Sequence, residues 1–170
     1  MTQKSTSTPA TRLLRASSVR YSEHFYTYED RGGTRVAAVA LGVPEHQVIK
    51  TLVFEDDAAQ PMIVLMHGDL EVSTKQLARA IGRRSVSPCS PEAAHRHTGY
   101  MVGGISPFGT RKRMPVYIER TILDLEEIFI NGGSRGFLVG LPPAVMVALS
   151  AVQTRSMSGR KLGSSSPGLC

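Results

Sequence analysis

Hydrophobic positions change period several times along the 170 residues. Val48 to Glu55 and Pro61 to His67 are β-prone runs separated by Asp56-Asp57-Ala58-Ala59-Gln60, which predicts a hairpin. Ser73 to Ile81 switches to helical spacing, with Leu77 and Ile81 inward, Ser73 and Gln76 matching a capping box and Gly82 as the stop. Lys75 and Arg79 then project from one face of that helix. Thr8-Pro9 reads as an N-cap and first helical position, ahead of a stripe carrying Leu13 and Leu14. Further helices are expected over Val36–Leu41, from Ser90-Pro91 to His97, and from Pro142-Pro143 to about Val152, with a turn or short helix at Pro44–Gln47. Strands are expected over Val19–Tyr28, Arg83–Ser87, 115–119, 127–131 and 136–141, with a tight turn at Asn131-Gly132-Gly133. There is no internal repeat. Strands mixed with scattered helices predict an α+β domain over residues 10–152, a flexible segment over 1–9 and a disordered Ser/Gly-rich tail over 153–170.

Two places break the pattern. Lys50 interrupts the first strand on the face shared with Val48, Leu52 and Phe54. A buried ammonium needs a partner, a cleft or a route to water; the alternative is an edge lysine that blocks aggregation. The second place is Gly103-Gly104-Ile105-Ser106-Pro107. Its glycines allow a ligand close to the main chain, and successive N–H groups there can line a carbonyl oxygen or a phosphate. A plain structural turn is the alternative. The segment matches neither a P-loop nor a dinucleotide fingerprint.

Composition narrows the classes. Hydrophobic residues are 41% and charged residues 20% of the chain, as in ordinary globular domains. No apolar run is long enough to span a bilayer, and Met1 to Pro9 lacks a secretory core. Two cysteines, Cys89 and Cys170, make a structural disulfide unexpected and favour the cytoplasm. The net charge of +6 is concentrated. Residues 71–113 hold eight Lys and Arg against Glu71 and Glu92, and the cations include Lys75, Arg79, Arg83, Arg84, Arg111, Lys112 and Arg113. Such a stretch fits a polyanion, most commonly nucleic acid, or else a solvated face. His95 and His97 point to different faces of their helix, while His24, His46 and His67 are isolated in sequence, so no metal or other cofactor is expected. Neither Cys89 nor any serine stands in a recognisable nucleophile arrangement. An enzyme built this way works by positioning, by backbone amides and by groups on the substrate.

The chain resembles the YbaK/EbsC family, free-standing relatives of the editing domain of bacterial prolyl-tRNA synthetases. The resemblance rests on Tyr26-Thr27-Tyr28, on Lys50-Thr51-Leu52-Val53, on the run from Thr98 through Gly103-Gly104-Ile105-Ser106-Pro107 to Gly109 and Arg111-Lys112-Arg113, and on Gly132-Gly133-Ser134-Arg135-Gly136. It implies a mixed, barrel-like sheet of about six or seven strands flanked by helices, and hydrolysis of tRNA carrying the wrong amino acid. Lys50 matches the family's essential lysine, Gly103 to Pro107 its Gly-x-x-x-Pro loop, and Tyr28 a tyrosine bordering the pocket. The resemblance implies catalytic roles for Lys50 and for the amides of Gly103, Gly104 and Ile105. It implies substrate contacts by Tyr28, Thr51, Ser106, Pro107, Asn131 and Gly132, with the basic residues above on tRNA. In the branch it resembles most, cysteinyl-tRNA(Pro), or alternatively cysteinyl-tRNA(Cys), is cleared by the substrate's own thiol; sister groups clear alanine, serine or threonine. A non-catalytic tRNA- or synthetase-binding module and a binder of small phosphorylated ligands are the other readings. A domain this small looks unable to read an anticodon, so prolyl-tRNA synthetase is the expected partner. Asn131, where the branch has a small serine, and Leu138, at a position polar in relatives, depart from the pattern.

Overall fold

The computed structural model describes residues 6–149 and 152–159. Helices α1 (Pro9–Ala16), α2 (Gly33–Leu41), α3 (Thr74–Ile81), α4 (Pro91–Thr98) and α5 (Ala144–Leu149) flank one mixed sheet. Its strands are β1 (Ser22–Phe25), β2 (Val48–Asp56), β3 (Pro61–His67), β4 (Val86–Pro88), β5 (Val116–Glu119), β6 (Ile128–Ser134), β7 (Phe137–Leu141) and β8 (Val152–Arg155). The order across the sheet is β1-β7-β6-β2-β3-β5-β8, with β4 also on β2. The α+β class and the mixed sheet agree with the expectation, with eight strands among the described residues.

The central hairpin forms where the hydrophobic runs predict it. β2 and β3 pair antiparallel, Lys50 opposite Met66, and Asp56 closes the turn by accepting the N–H groups of Ala58 and Gln60 at 2.8 and 3.0 Å. β3 is buried at every position, and each fully buried side chain such as Ile63 or Leu65 contributes about 2 kcal/mol. On its other side β2 has two different neighbours. β6 runs parallel to it at Val48 and Ile49, and β4 pairs antiparallel from Phe54 to Asp56. Between these pairings, residues 50–52 have no strand neighbour on that side among the described residues, so the sheet parts at Lys50, Thr51 and Leu52.

Three packed clusters surround this split. Leu14, Ile63, Tyr100, Phe108 and Ile130 belong to the largest. Phe54, Val64, Met66, Leu77 and Met157 form a second under α3. Ala37 and Ala38 of α2 pack on Val48, Phe129 and Leu138 in the third.

Several boundaries differ from the sequence reading. Thr8, inside the segment expected to be flexible, is buried and makes a full capping box with Thr11; residues 1–5 lie outside the described ones. At α3 the Ser73 hydroxyl accepts the Gln76 N–H, the half of the expected box that forms. Asn131-Gly132-Gly133 is not the hairpin turn. It lies within β6 at an irregularity in the pairing with β7, and the chain reverses at Arg135-Gly136, where Gly136 has φ +78°. The tail is ordered further than expected: β8 pairs parallel with β5, and Met157 is fully buried. Residues 160–170 of that tail lie outside the described ones.

Candidate functional site

The parting of the sheet opens into a cavity of about 530 Å³. It is lined by β2 from Val48 to Leu52 and by Val102, Gly103 and Ile105. Tyr26, Tyr28, Asn131, Arg135 and Leu138 close the side formed by β6, β7 and the segment after β1, and Asp30, Arg31 and Thr34 stand at the start of α2. The lysine and the glycine loop, about fifty residues apart in sequence, therefore line one space.

Lys50 answers the cost of burying an ammonium in two ways at once. Its side chain is 10% exposed, and Nζ lies 3.2 Å from Oε1 of Glu71, which is 43% exposed. One N–H meets the carboxylate; an ammonium has three. Beside it, the buried Thr51 Oγ1 has no partner among the described residues. An unpaired buried hydroxyl at a cavity wall is a natural contact for a polar ligand atom.

The loop is built as a tight turn. The Gly104 N–H donates to the Met101 carbonyl at 2.8 Å, and Gly103 sits at φ +90°, the conformation a type II turn demands of its third residue. Two side chains from the β6–β7 region clamp it. Asn131 Nδ2 donates to the Gly103 carbonyl at 3.0 Å while its Oδ1 accepts the Gly133 N–H at 2.7 Å. Arg135 Nε donates to the Val102 carbonyl at 2.9 Å, and its guanidinium lies 4.9 Å over the Tyr28 ring. Both carbonyls are thereby held. The Gly104 amide, expected to face a substrate, is engaged in the turn instead. The N–H groups of Gly103 and Ile105 make no hydrogen bond among the described residues.

Three expected contacts sit elsewhere. Ser106 is fully buried and its hydroxyl accepts the Phe108 N–H at 3.2 Å, which braces the loop from behind. Pro107 faces a separate hollow with Gly109, Arg111 and Arg113. Gly132 is a packing glycine: a Cβ there would run into the Phe137 ring, and its carbonyl takes the Thr8 hydroxyl. The seven candidate tRNA cations are all exposed and none lines the cavity. Arg83 is ion-paired with Asp56 at 3.1 Å.

His46 and His67 are not isolated. Their rings stack at 3.6 Å, and together with Asp69 they bring three ligand-type atoms within 4.8 Å of one another. Both His67 nitrogens already have protein partners, the His46 carbonyl at 2.7 Å and the Thr121 hydroxyl at 2.8 Å, so the group reads as a hydrogen-bonded core and not a metal centre. Burial holds the His67 pKa below its ordinary 6.5. Burial, aided by Glu55, pushes the Cys89 thiol up to about 11, away from the reactive thiolate.

Sequence reasoning missed Glu71 and Arg135. Arg135 lies inside the Gly132–Gly136 string and was visible there as a cation beside a turn. Glu71 carries no local signal, because its pairing with Lys50 depends on how the segment after β3 folds back.

Lys50 with its counter-carboxylate, the unpaired Thr51 hydroxyl on the same strand and the loop residues Gly103 and Ile105 line one cavity, an arrangement suited to an acyl ester or phosphate. The comparisons agree. A family model described as the aminoacyl-tRNA editing domain matches residues 30–149. A protein of Enterococcus faecalis (strain ATCC 700802 / V583), provisionally named Cys-tRNA(Pro)/Cys-tRNA(Cys) deacylase EbsC, is 29% identical over 144 residues, 84% of this chain and 88% of that one. The proline–tRNA ligase of Streptococcus equi subsp. zooepidemicus (strain H70) is 31% identical over 107 residues, 62% of this chain but 17% of the ligase. A crystal structure described as a provisional trans-editing enzyme for prolyl tRNA synthetase superposes with a TM-score of 0.80 at 23% identity, over 92% of this chain and all of that one, which shows the shared fold. The chain belongs to the aminoacyl-tRNA editing domain family and is an aminoacyl-tRNA deacylase of the YbaK/EbsC type. Among the described residues, no helix is long and apolar enough to cross a membrane.

Proposed function

We propose that this deacylase clears cysteine wrongly joined to tRNA(Pro), with the substrate's thiol as nucleophile. The observation that carries the reading is the shared cavity of Lys50 and the Gly103–Ile105 loop. In this mechanism the cysteinyl sulfur attacks its own ester carbonyl. A carbon–sulfur bond forms, the bond to the terminal ribose oxygen breaks, and the thiol's proton ends on that oxygen. The product is a strained four-membered thiolactone, which water opens to free cysteine. Lys50 orients the ester or terminal adenosine by charge, and the Gly103 and Ile105 amides stabilise the oxyanion as it forms. Thr51 and Tyr28 contact the aminoacyl end. The name of the Enterococcus relative supports cysteine as the substrate.

The exposed cations Lys75, Arg79, Arg84, Arg111, Lys112 and Arg113, with the Asp56-paired Arg83, take the tRNA backbone outside the cavity. Prolyl-tRNA synthetase is the partner that supplies tRNA selection, in line with the similarity to part of proline–tRNA ligases. A second reading, alanine as the cleared residue, draws on the apolar walls made by Ala37, Val48 and Leu138.

The test is release of labelled amino acid from Cys-, Ala- and Ser-tRNA(Pro), and from tRNA(Pro) carrying S-methylcysteine. Release of cysteine alone is the expected result. Release of S-methylcysteine at the same rate overturns the thiol mechanism, and faster release of alanine moves the assignment to the second reading.

A further inference from the structure

Glu71 is tied down from behind by the C-terminal segment. The Gly159 N–H donates to the Glu71 carbonyl at 2.6 Å, Val72 and Ser158 form an antiparallel bridge, and the Ser73 N–H donates to the Met157 carbonyl at 2.8 Å. The segment is itself anchored. The Met157 side chain is fully buried among Val64, Met66 and Leu77, and its N–H donates at 2.8 Å to Glu119, a carboxylate only 1% exposed. β8 adds a full pairing to β5 just before it. Residues 71–73 are thus clamped by a strap, and the residue that begins them holds the ammonium in the cavity wall.

We propose that Glu71 is a positioning residue for Lys50, and that the strap of residues 152–159 is a working part of the site because it fixes Glu71. The proposal rests on the catalytic reading of Lys50 above. A flexible four-carbon side chain at a cavity mouth has many rotamers, and only a few aim its charge at the ester. A carboxylate on a fixed backbone selects among them. It leaves two N–H groups of the ammonium for the ligand. A loosely held Glu71, free to swing, would take that selection away without changing the fold.

The experiment compares wild type, Glu71→Gln, Gly159→Pro and Gly159→Ala. Proline removes the N–H that holds Glu71. Alanine keeps it, and its Cβ would sit 3.4 Å from the Glu71 carbonyl, an ordinary contact. Two readouts are taken: kcat and KM on Cys-tRNA(Pro), and the rate at which formaldehyde and dimethylamine–borane methylate Lys50, read by peptide mass. Thermal midpoints check folding. Glu71→Gln and Gly159→Pro are expected to lower kcat by roughly tenfold with KM little changed, and to speed Lys50 methylation severalfold, while Gly159→Ala matches wild type. Wild-type kcat and methylation in Glu71→Gln overturn the positioning role. Identical behaviour of Gly159→Pro and Gly159→Ala overturns the strap. Should Lys50→Ala deacylate like wild type, the catalytic reading falls, and the methylation arm alone still decides whether the strap holds the Lys50–Glu71 pair.

Discussion

Replacing Gly103 by alanine tests the loop with the least possible change. The residue sits at φ +90°, where an L-side chain costs about 1–2 kcal/mol. The new Cβ would also lie 2.7 Å from the Tyr28 hydroxyl and 2.9 Å from its Cε2. The ring is not free to yield. Arg135 lies over it and simultaneously holds the Val102 carbonyl, so a shift of Tyr28 disturbs the clamp on the same loop. Forcing the ring off its preferred rotamer adds about 1 kcal/mol, for a total near 2–3 kcal/mol. Part of this appears as lost stability and part as a displaced loop. A displacement near 1 Å at a reacting centre costs about a hundredfold in rate. Single-turnover cysteine release by Gly103→Ala is therefore expected to fall by about two orders of magnitude, with the urea midpoint lowered and tRNA affinity within about twofold of wild type. The double variant Gly103→Ala, Tyr28→Ala relieves the clash but not the backbone strain, and so restores only part of the stability. A single variant with wild-type rate and stability would falsify the claim that this turn geometry shapes the site.

Three further outcomes follow from the same coordinates. Gly132→Ala drives a methyl into the Phe137 ring and should destabilise the fold by about 1–3 kcal/mol in urea, with the rate at saturating substrate far less affected than in Gly103→Ala. His67 is held below its ordinary 6.5 by burial, so the unfolded chain binds this proton more readily than the folded one. Its contribution to stability is present above pH 6.5 and is lost as the pH falls toward the lowered folded value; urea midpoints from pH 7.5 to 5 should drop in wild type and drop less in His67→Gln. Changing Arg111, Lys112 and Arg113 together to alanine should lower the slope of log affinity for tRNA against log salt by about 2, read by filter binding, while leaving the rate on bound substrate unchanged.

The parts that were legible in the sequence are local. The β2–β3 hairpin follows from two apolar runs around a polar turn, and α3 from a serine cap, a leucine stripe and a terminal glycine, all within a few residues. Lys50 stood out because a cation in a strand demands an explanation, and Gly103 because its neighbours leave few other roles for paired glycines. The resemblance joined them and brought in Tyr28 and Thr51. What it did not reveal depends on pairing across the chain. That residues 50–52 lie where β6 and β4 part needs pairings with two distant strands, Val48 with Phe129 and Phe54 with Pro88. The clamps from Asn131 and Arg135 need the true position of the β6–β7 reversal, which the glycines at 132 and 133 disguised: Gly132 is small because Phe137 packs on it, not because the chain turns there. Ser106, Pro107 and Gly132 were carried over as contacts because a motif marks positions without saying which way they face. β8 escaped notice because four residues, with Gln153 and Arg155 among them, are too short a run to signal a strand and gain their order from β5, and the methionine that anchors the strap stands alone in a polar stretch.

The most direct measurement is single-turnover release of labelled cysteine from Cys-tRNA(Pro) by Lys50→Ala beside wild type, with tRNA binding followed in the same samples. The account predicts that the variant binds tRNA as before and releases cysteine at least a hundredfold more slowly, roughly the loss seen when one charge-stabilising group is removed from an active site. Undiminished release, with binding intact, would contradict it.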